Sequence, residues 1–276
     1  MDVQMNLDTY LARIGLDHRP PATLVGLTAL HRAHLTAISY ENIDVQLGRP
    51  LTIERLPIYD KIVTRRRGGW CYEMNGLFGW ALGELGFDVT RATGAVMRAK
   101  AGDAKAGNHL VLKVVLPEGL WLADVGFGDG PFDPIRIAPG PFTSRGFPWA
   151  LTQLDANWWR LSDERPGAKS FDFNLAPADE ALLARQCAFL QAAPVSPFVQ
   201  NLVAQRHTAE GHAILRGRTI AQVTPAGSAE RVFDSAGDLV ATLKDVFALD
   251  VPEVATLWPK ICARHDAVMA KRAATE

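Results

Sequence analysis

The spacing of apolar residues first changes near Phe87, and that change limits the fold more than any single motif. Before it the spacing is helical. "LDTYLARIGL" reads as one short helix, and Pro21–Ile38 as a second, with Leu24, Leu27, Leu30 and Leu35 recurring near three and four residues apart. Cys71, Met74, Phe78, Leu82 and Leu85 lie on one stripe of a third helix, which Gly86 stops. After Phe87 the segments are short, rich in β-branched and aromatic residues, and broken by Gly, Pro and Asp. "DVTRATGAVMRAK", "HLVLKVVL", "GLWLADVGF", "WALTQLD" and "WWRLSD" predict an antiparallel sheet or small barrel reaching to about Phe173.

"PADEALLARQCAFLQAAP" returns to helix, with Asp179 and Glu180 in its first turn. In the mixed tail, "FVQNLVAQRHT", "GHAILRGRTIAQVT" and "ERVFD" predict strands, and "VATLKDVFAL" and the segment from Val251 predict helices. The loop "GDGPFDPIRIAPGPF" carries four prolines and predicts an ordered, irregular excursion. The expected organisation is a helical block over 1–86, a β block with a connecting helix over 87–191, and an α/β unit over 192–276.

A formal charge of −1 gives no reason to expect nucleic acid or an anionic membrane as partner. No apolar run approaches the roughly 18 residues of a membrane span. The first residues read as an amphipathic helix, not a signal peptide. Three scattered cysteines form no disulfide framework and suit a reducing compartment, so a cytoplasmic protein is expected. Arg65, Arg66 and Arg67 could hold a phosphate-bearing ligand or form a solvated or paired structural cluster.

Cys71 sits where the third helix opens, directly after Gly68-Gly69-Trp70. Unpaired backbone N–H groups and the positive end of the helix dipole gather there and favour a thiolate. The two glycines would let the backbone turn and leave room beside the sulfur. Packing as a small apolar residue on the helical stripe explains the same position equally well. A nucleophilic cysteine needs a base. Of the seven histidines, His109 stands apart because it opens the apolar strand "HLVLKVVL".

Asp124 is the one acid in "GLWLADVGF", and a carboxylate in such a strand needs a partner. If the hairpin turns at "LPEG" with an even loop, paired residue numbers sum to 235. His109 and Asp124 then become diagonal neighbours on one face, roughly 7–8 Å apart at Cα. An odd loop would put them on opposite faces. His31 and His34 have metal-like spacing but no second pair, so no metal is expected. "GFGDG" is followed by proline and not by a helix, which suits a loop packed near a ligand better than a nucleotide site.

"RRRGGWCYEMNG" resembles the R-G-G-x-C-x-E-x-N signature of the arylamine N-acetyltransferases, and His34–Leu51 resembles that family's F-E-N-x-D-x-x-L-G segment. "GNHLVLKV" and "WLADVGFGDGPFDPI" fall in order where the family places a histidine and an aspartate. The resemblance implies an α+β multidomain fold: an N-terminal helical bundle, a central antiparallel β-barrel and a C-terminal α/β lid. At its centre would lie a cysteine-protease-like Cys-His-Asp core. It implies Cys71 as nucleophile, His109 as base and Asp124 as orienting carboxylate. Gly126, Phe127, Gly128 and Phe198 would line the substrate site. Tyr40, Trp70 and Met74 depart from the usual residues, and the last two flank the nucleophile.

The activity implied is transfer of acetyl from acetyl-coenzyme A to an arylamine or hydrazine, by a ping-pong route through acetyl-cysteine. A homodimer is compatible with it. An amide synthase that closes a macrolactam from a carrier-bound acyl chain, a cysteine hydrolase, and a binding module with an inert thiol are the competing readings.

Overall fold

Helical spacing at the start of the chain produces helices where it predicts them. The computed structural model describes residues 4–165 and 170–274; residues 1–3 and Thr275, parts of the first and last helical readings, lie outside the described residues. Helices α1 (Leu7–Arg13) and α2 (Leu24–Ala37) begin at Asn6 and Thr23, whose side chains accept the Thr9 and Gly26 N–H groups. Two short helices, α3 (Ile43–Gln46) and α4 (Arg55–Tyr59), lead through a wider turn at Asp60–Thr64 to α5 (Cys71–Glu84). Gly86, at φ 85°, follows its last turn in the left-handed region that glycine adopts without strain.

Among the described residues the strands form two antiparallel sheets. Following the chain, they are β1 (Tyr40–Glu41), β2 (Asp88–Val96), β3 (His109–Leu116), β4 (Gly119–Ala123), β5 (Ile135–Arg136), β6 (Gly140–Ser144) and β7 (Phe147–Gln153). Then come β8 (Trp158–Asp163), β9 (Ser170–Pro177), β10 (Val203–His207), β11 (His212–Arg216), β12 (Thr219–Thr224) and β13 (Gly227–Val232). The larger sheet runs β5-β4-β3-β2-β9-β8-β7-β6 and curls into a half-barrel. β5 and β6 remain its two edges, so the expected barrel is open. The short β5 comes from the proline-rich excursion, where two residues pair with β4.

The remaining helices are α6 (Arg98–Ala101), α7 (Glu180–Ala192), α8 (Pro197–Gln200), α9 (Ala236–Asp245) and α10 (Trp258–Ala273). Two sequence expectations are corrected here. Residues 98–100, read as the end of a strand, turn into α6, and 198–200 lie in α8 before β10 begins. The second sheet, β1-β10-β11-β12-β13, takes its first strand from the N-terminal region. Two residues carry no readable alternation, so β1 had no signal of its own.

The stripe of α5 is buried as its spacing requires. Met74, Phe78 and Leu82 join Leu27, Leu30 and Leu35 of α2 and Leu112 and Val114 of β3 in one apolar cluster. Each such side chain, fully buried, contributes about 1.5–3 kcal/mol. This cluster seats the start of α5 against β3, the strand that opens with His109.

Four buried histidines make the fold sensitive to acid. His31, His34, His207 and His212 are all nearly inaccessible. Burial holds each below the ordinary histidine value, His212 at about 4. In the unfolded chain they take up protons below about 6.5, so the unfolded state binds more protons between that pH and the lowered folded values. Stability must then fall as pH falls, by roughly 2 kcal/mol at pH 5 for each histidine still neutral in the fold. Thermal melts at pH 7 and pH 5 should show a lower Tm at pH 5, with a smaller drop for His212→Phe. An unchanged Tm would mean that these imidazoles protonate in place without cost.

Candidate active site

Cys71 is the first residue of α5, behind Trp70 in extended conformation (φ −94°, ψ −176°). The Glu73 carboxylate reaches back and accepts the Trp70 N–H at 3.2 Å, which fixes where the helix begins. Glu73 in turn receives both its oxygens' bonds from Lys61 Nζ, at 3.0 and 2.9 Å. Glu41 and Asp44 join the same buried group, and Arg67 donates to them at 3.0 and 3.2 Å. Against burial, which disfavours its charge, the carboxylates of Glu41, Glu73 and Asp44 raise the Lys61 pKa.

The three arginines therefore divide. Arg67 is a buried structural partner of acids, while Arg65 pairs with Asp60 at the surface and Arg66 is exposed. The glycines are also reassigned. Neither Gly68 nor Gly69 has a positive φ. A Cβ on Gly68 would lie 2.2 Å from the Ser39 carbonyl oxygen, and one on Gly69 would lie 2.8 Å from the Glu73 Cβ. They let the chain pass close to β1 and to Glu73, which a larger residue could not do.

The hairpin has the even register. Leu112 faces Ala123, Val115 faces Leu120 and Leu116 faces Gly119. His109 Nε2 and Asp124 Oδ2 are 2.7 Å apart, both groups buried. That leaves Nδ1 as the ring nitrogen available to the neighbouring Cys71, whose thiol is directed to the Asn108 carbonyl at 4.0 Å. Burial alone would lower the imidazole; the Asp124 carboxylate outweighs it and raises the pKa to about 10. Burial would raise Asp124, and the pairing with His109 outweighs that and lowers it. The stability that His109 draws from this pairing is complete below about pH 6.5 and is lost as pH rises toward about 10.

Asn75 was not singled out from the sequence, although it closes the cysteine motif one helical turn after Cys71. Its Nδ2 donates to Asp124 Oδ1 at 2.7 Å and to the Leu110 carbonyl at 2.6 Å, and its Oδ1 accepts the Val125 N–H at 3.0 Å. The Gly126 N–H donates to Asp124 Oδ1 at 2.8 Å. With every oxygen engaged, the carboxylate is held in one orientation toward His109. The i, i+4 spacing of Cys71 and Asn75 was the available signal.

The expected lining residues divide as well. A Cβ on Gly126 would come 2.8 Å from the Cys71 Cα, so this glycine permits backbone contact with the nucleophile's helix. Gly128, at φ 87°, packs on Gln205. The Phe127 ring lies 5.8 Å from that of His109 and 4.8 Å from that of Phe171. Phe171, unmentioned in the sequence reading, is itself 5.0 Å from His109. Phe198 stands edge-on to Trp70 at 5.3 Å, in the cluster that holds Cys71. Met74 packs in the helical core and not beside the site.

Among the described residues no group of three or more His, Cys, Asp or Glu side chains is placed to hold a metal ion. His31 and His34 are occupied locally, by the Phe132 carbonyl and the Tyr10 hydroxyl. The arrangement of thiol, imidazole and carboxylate at a helix start suits acyl transfer through sulfur.

Comparison with known proteins gives the same direction. The model of an N-acetyltransferase family matches residues 23–256. An arylamine N-acetyltransferase of Mycolicibacterium smegmatis is 36% identical over 269 residues, spanning 91% of this chain and 94% of its own. A pineal-gland isozyme from Gallus gallus is 30% identical, spanning 79% of this chain and 83% of its own. Among solved structures, the M. smegmatis enzyme superimposes with TM-score 0.85 at 34% identity, covering 94% of this chain and 98% of its own. The Mycobacterium marinum enzyme, solved in complex with CoA, does so with TM-score 0.84 at 32% identity, covering 95% and 99%.

Proposed function

The chain belongs to the arylamine N-acetyltransferase family, and from that premise we propose that it acetylates arylamines and arylhydrazines from acetyl-coenzyme A through an acetyl-Cys71 intermediate. The observation that carries this reading is the 2.7 Å bond between His109 and Asp124 beside a cysteine at the first position of a helix. The M. marinum relative's complex with CoA supports the choice of donor.

His109 takes the proton of Cys71, and the sulfur attacks the thioester carbonyl of acetyl-coenzyme A. The tetrahedral intermediate collapses, the C–S bond to coenzyme A breaks, and the departing thiolate takes the proton back from the imidazolium. The acceptor nitrogen then attacks the acetyl-cysteine, His109 accepts its proton, and the Cys71 sulfur leaves as the amide forms. Asp124 keeps Nδ1 turned to the sulfur and stabilises the imidazolium, the role such a carboxylate has in related triads. Phe127 and Phe198 offer aromatic faces for a flat acceptor.

Incubation with acetyl-coenzyme A and no amine should add the mass of one acetyl group, at Cys71. Initial rates should then give the parallel lines of ping-pong kinetics. Absence of the adduct would sink the proposal. Acetate released at a rate independent of amine would point to a hydrolase. An enzyme acylated only from a carrier protein would point to amide synthesis.

A further inference from the structure

Beside the proposed nucleophile stands a phenol that the mechanism above does not use. Tyr40 and Glu41 form β1, held on one side by Gln205 and Ala204 of β10 and on the other by Gly69. Successive residues of a strand point to opposite sides. Glu41 turns into the buried ion group, where it meets Arg67. Tyr40 turns the other way, into the cluster that contains Cys71, Trp70 and Leu110. It is only 7% exposed. Its hydroxyl makes no hydrogen bond to any described residue, and the residue keeps a small share of its surface exposed.

Burial, then the charges of Cys71, Asp129, Asp124 and Glu73 in that order, push its pKa well above the usual tyrosine range. The group therefore stays protonated, and among its charged neighbours the sulfur acts on it most strongly.

Acyl transfer needs donors where negative charge develops on the carbonyl oxygen. Nearby backbone N–H groups are mostly committed. Those of Val125 and Gly126 go to Asn75 and Asp124, that of Trp70 to Glu73, and those of Glu73 and Met74 to the Trp70 carbonyl. The Cys71 N–H, at the first helical position, has no partner among the described residues. We propose that the Tyr40 hydroxyl and the Cys71 backbone N–H together form the oxyanion site, with Tyr40 donating to the acyl oxygen as each tetrahedral intermediate forms. The proposal rests on Cys71 being acylated.

Tyr40→Phe removes one hydroxyl that has no partner in the resting protein, so Tm should hold or rise slightly. Acylation of Cys71, followed with acetyl-coenzyme A and separately with p-nitrophenyl acetate, should slow about 10²-fold. Alkylation by iodoacetamide, a displacement that creates no oxyanion, should keep the wild-type rate and pH profile. Acylation at the wild-type rate would overturn the proposal. So would acylation and alkylation falling together, which would make Tyr40 a partner of the sulfur, or both falling with a lowered Tm, which would make it structural. Wild-type protein acylated by p-nitrophenyl acetate but not by acetyl-coenzyme A would reject the proposed donor and still test Tyr40.

Discussion

Cys71→Ala is expected to lower kcat/KM for acetyl transfer by at least about 10⁴-fold, and Asp124→Asn by about 10⁴-fold. The two losses arise differently. Alanine removes the atom that would carry the acetyl group. Asparagine keeps the shape but must point one NH₂ somewhere, and both sides of the native carboxylate already face donors. Oδ1 accepts from Asn75 and Gly126, and Oδ2 faces His109 Nε2. Any placement sets a donor against a donor or turns the imidazole to its other tautomer. If the three groups act as one unit, as proposed, the double variant should be no worse than Cys71→Ala alone. Single-turnover rates with acetyl-coenzyme A check this. A Cys71→Ala protein within tenfold of wild type would remove the sulfur from the reaction.

Lys61→Met should produce the largest loss of stability, about 3–5 kcal/mol, because it leaves buried carboxylates without their cation. The Lys61 ammonium lies 2.9 Å from Glu73, 3.2 Å from Asp44 and 3.8 Å from Glu41, with all four side chains buried. Arg67 alone cannot neutralise three acids, and burial already lifts Glu73 against the pull of Lys61. The chain must then protonate an acid or admit water beside the start of α5. A Tm lower by about 6–20 °C follows. Arg65→Ala, at an exposed pair with Asp60, should change stability by under about 1 kcal/mol. Thermal melts of both variants decide it, and equal Tm values would show that the buried network contributes nothing.

Both outcomes depend on features of unequal legibility. The stripe of α5 and the strand β3 were readable because periods of 3.6 and 2 are local properties of the chain. The register that brings Asp124 to His109 was only half readable, since the sequence allowed an even or an odd loop and the fold took the even one. The barrel was less so: whether a curled sheet closes depends on edge strands, and β5 is two residues long. Gly68 and Gly69 were misread because their reason lies in Ser39 and Glu73, which only folding brings near. Met74 followed the stripe of its helix, and that stripe faces the core.

The sequence by itself determined the helical start at Cys71, a hairpin able to pair histidine with aspartate, and the order of helical and β segments. Each follows from interactions between residues close in the chain. The tertiary structure alone decided what Arg67, Lys61 and Asn75 do, and that Tyr40 and Glu41 serve opposite sides of one short strand. Those roles come from partners 12 to 50 residues away, or from a strand completed by β10. Burial, which gives an ion pair or a lone hydroxyl its energetic weight, exists only once those segments have met.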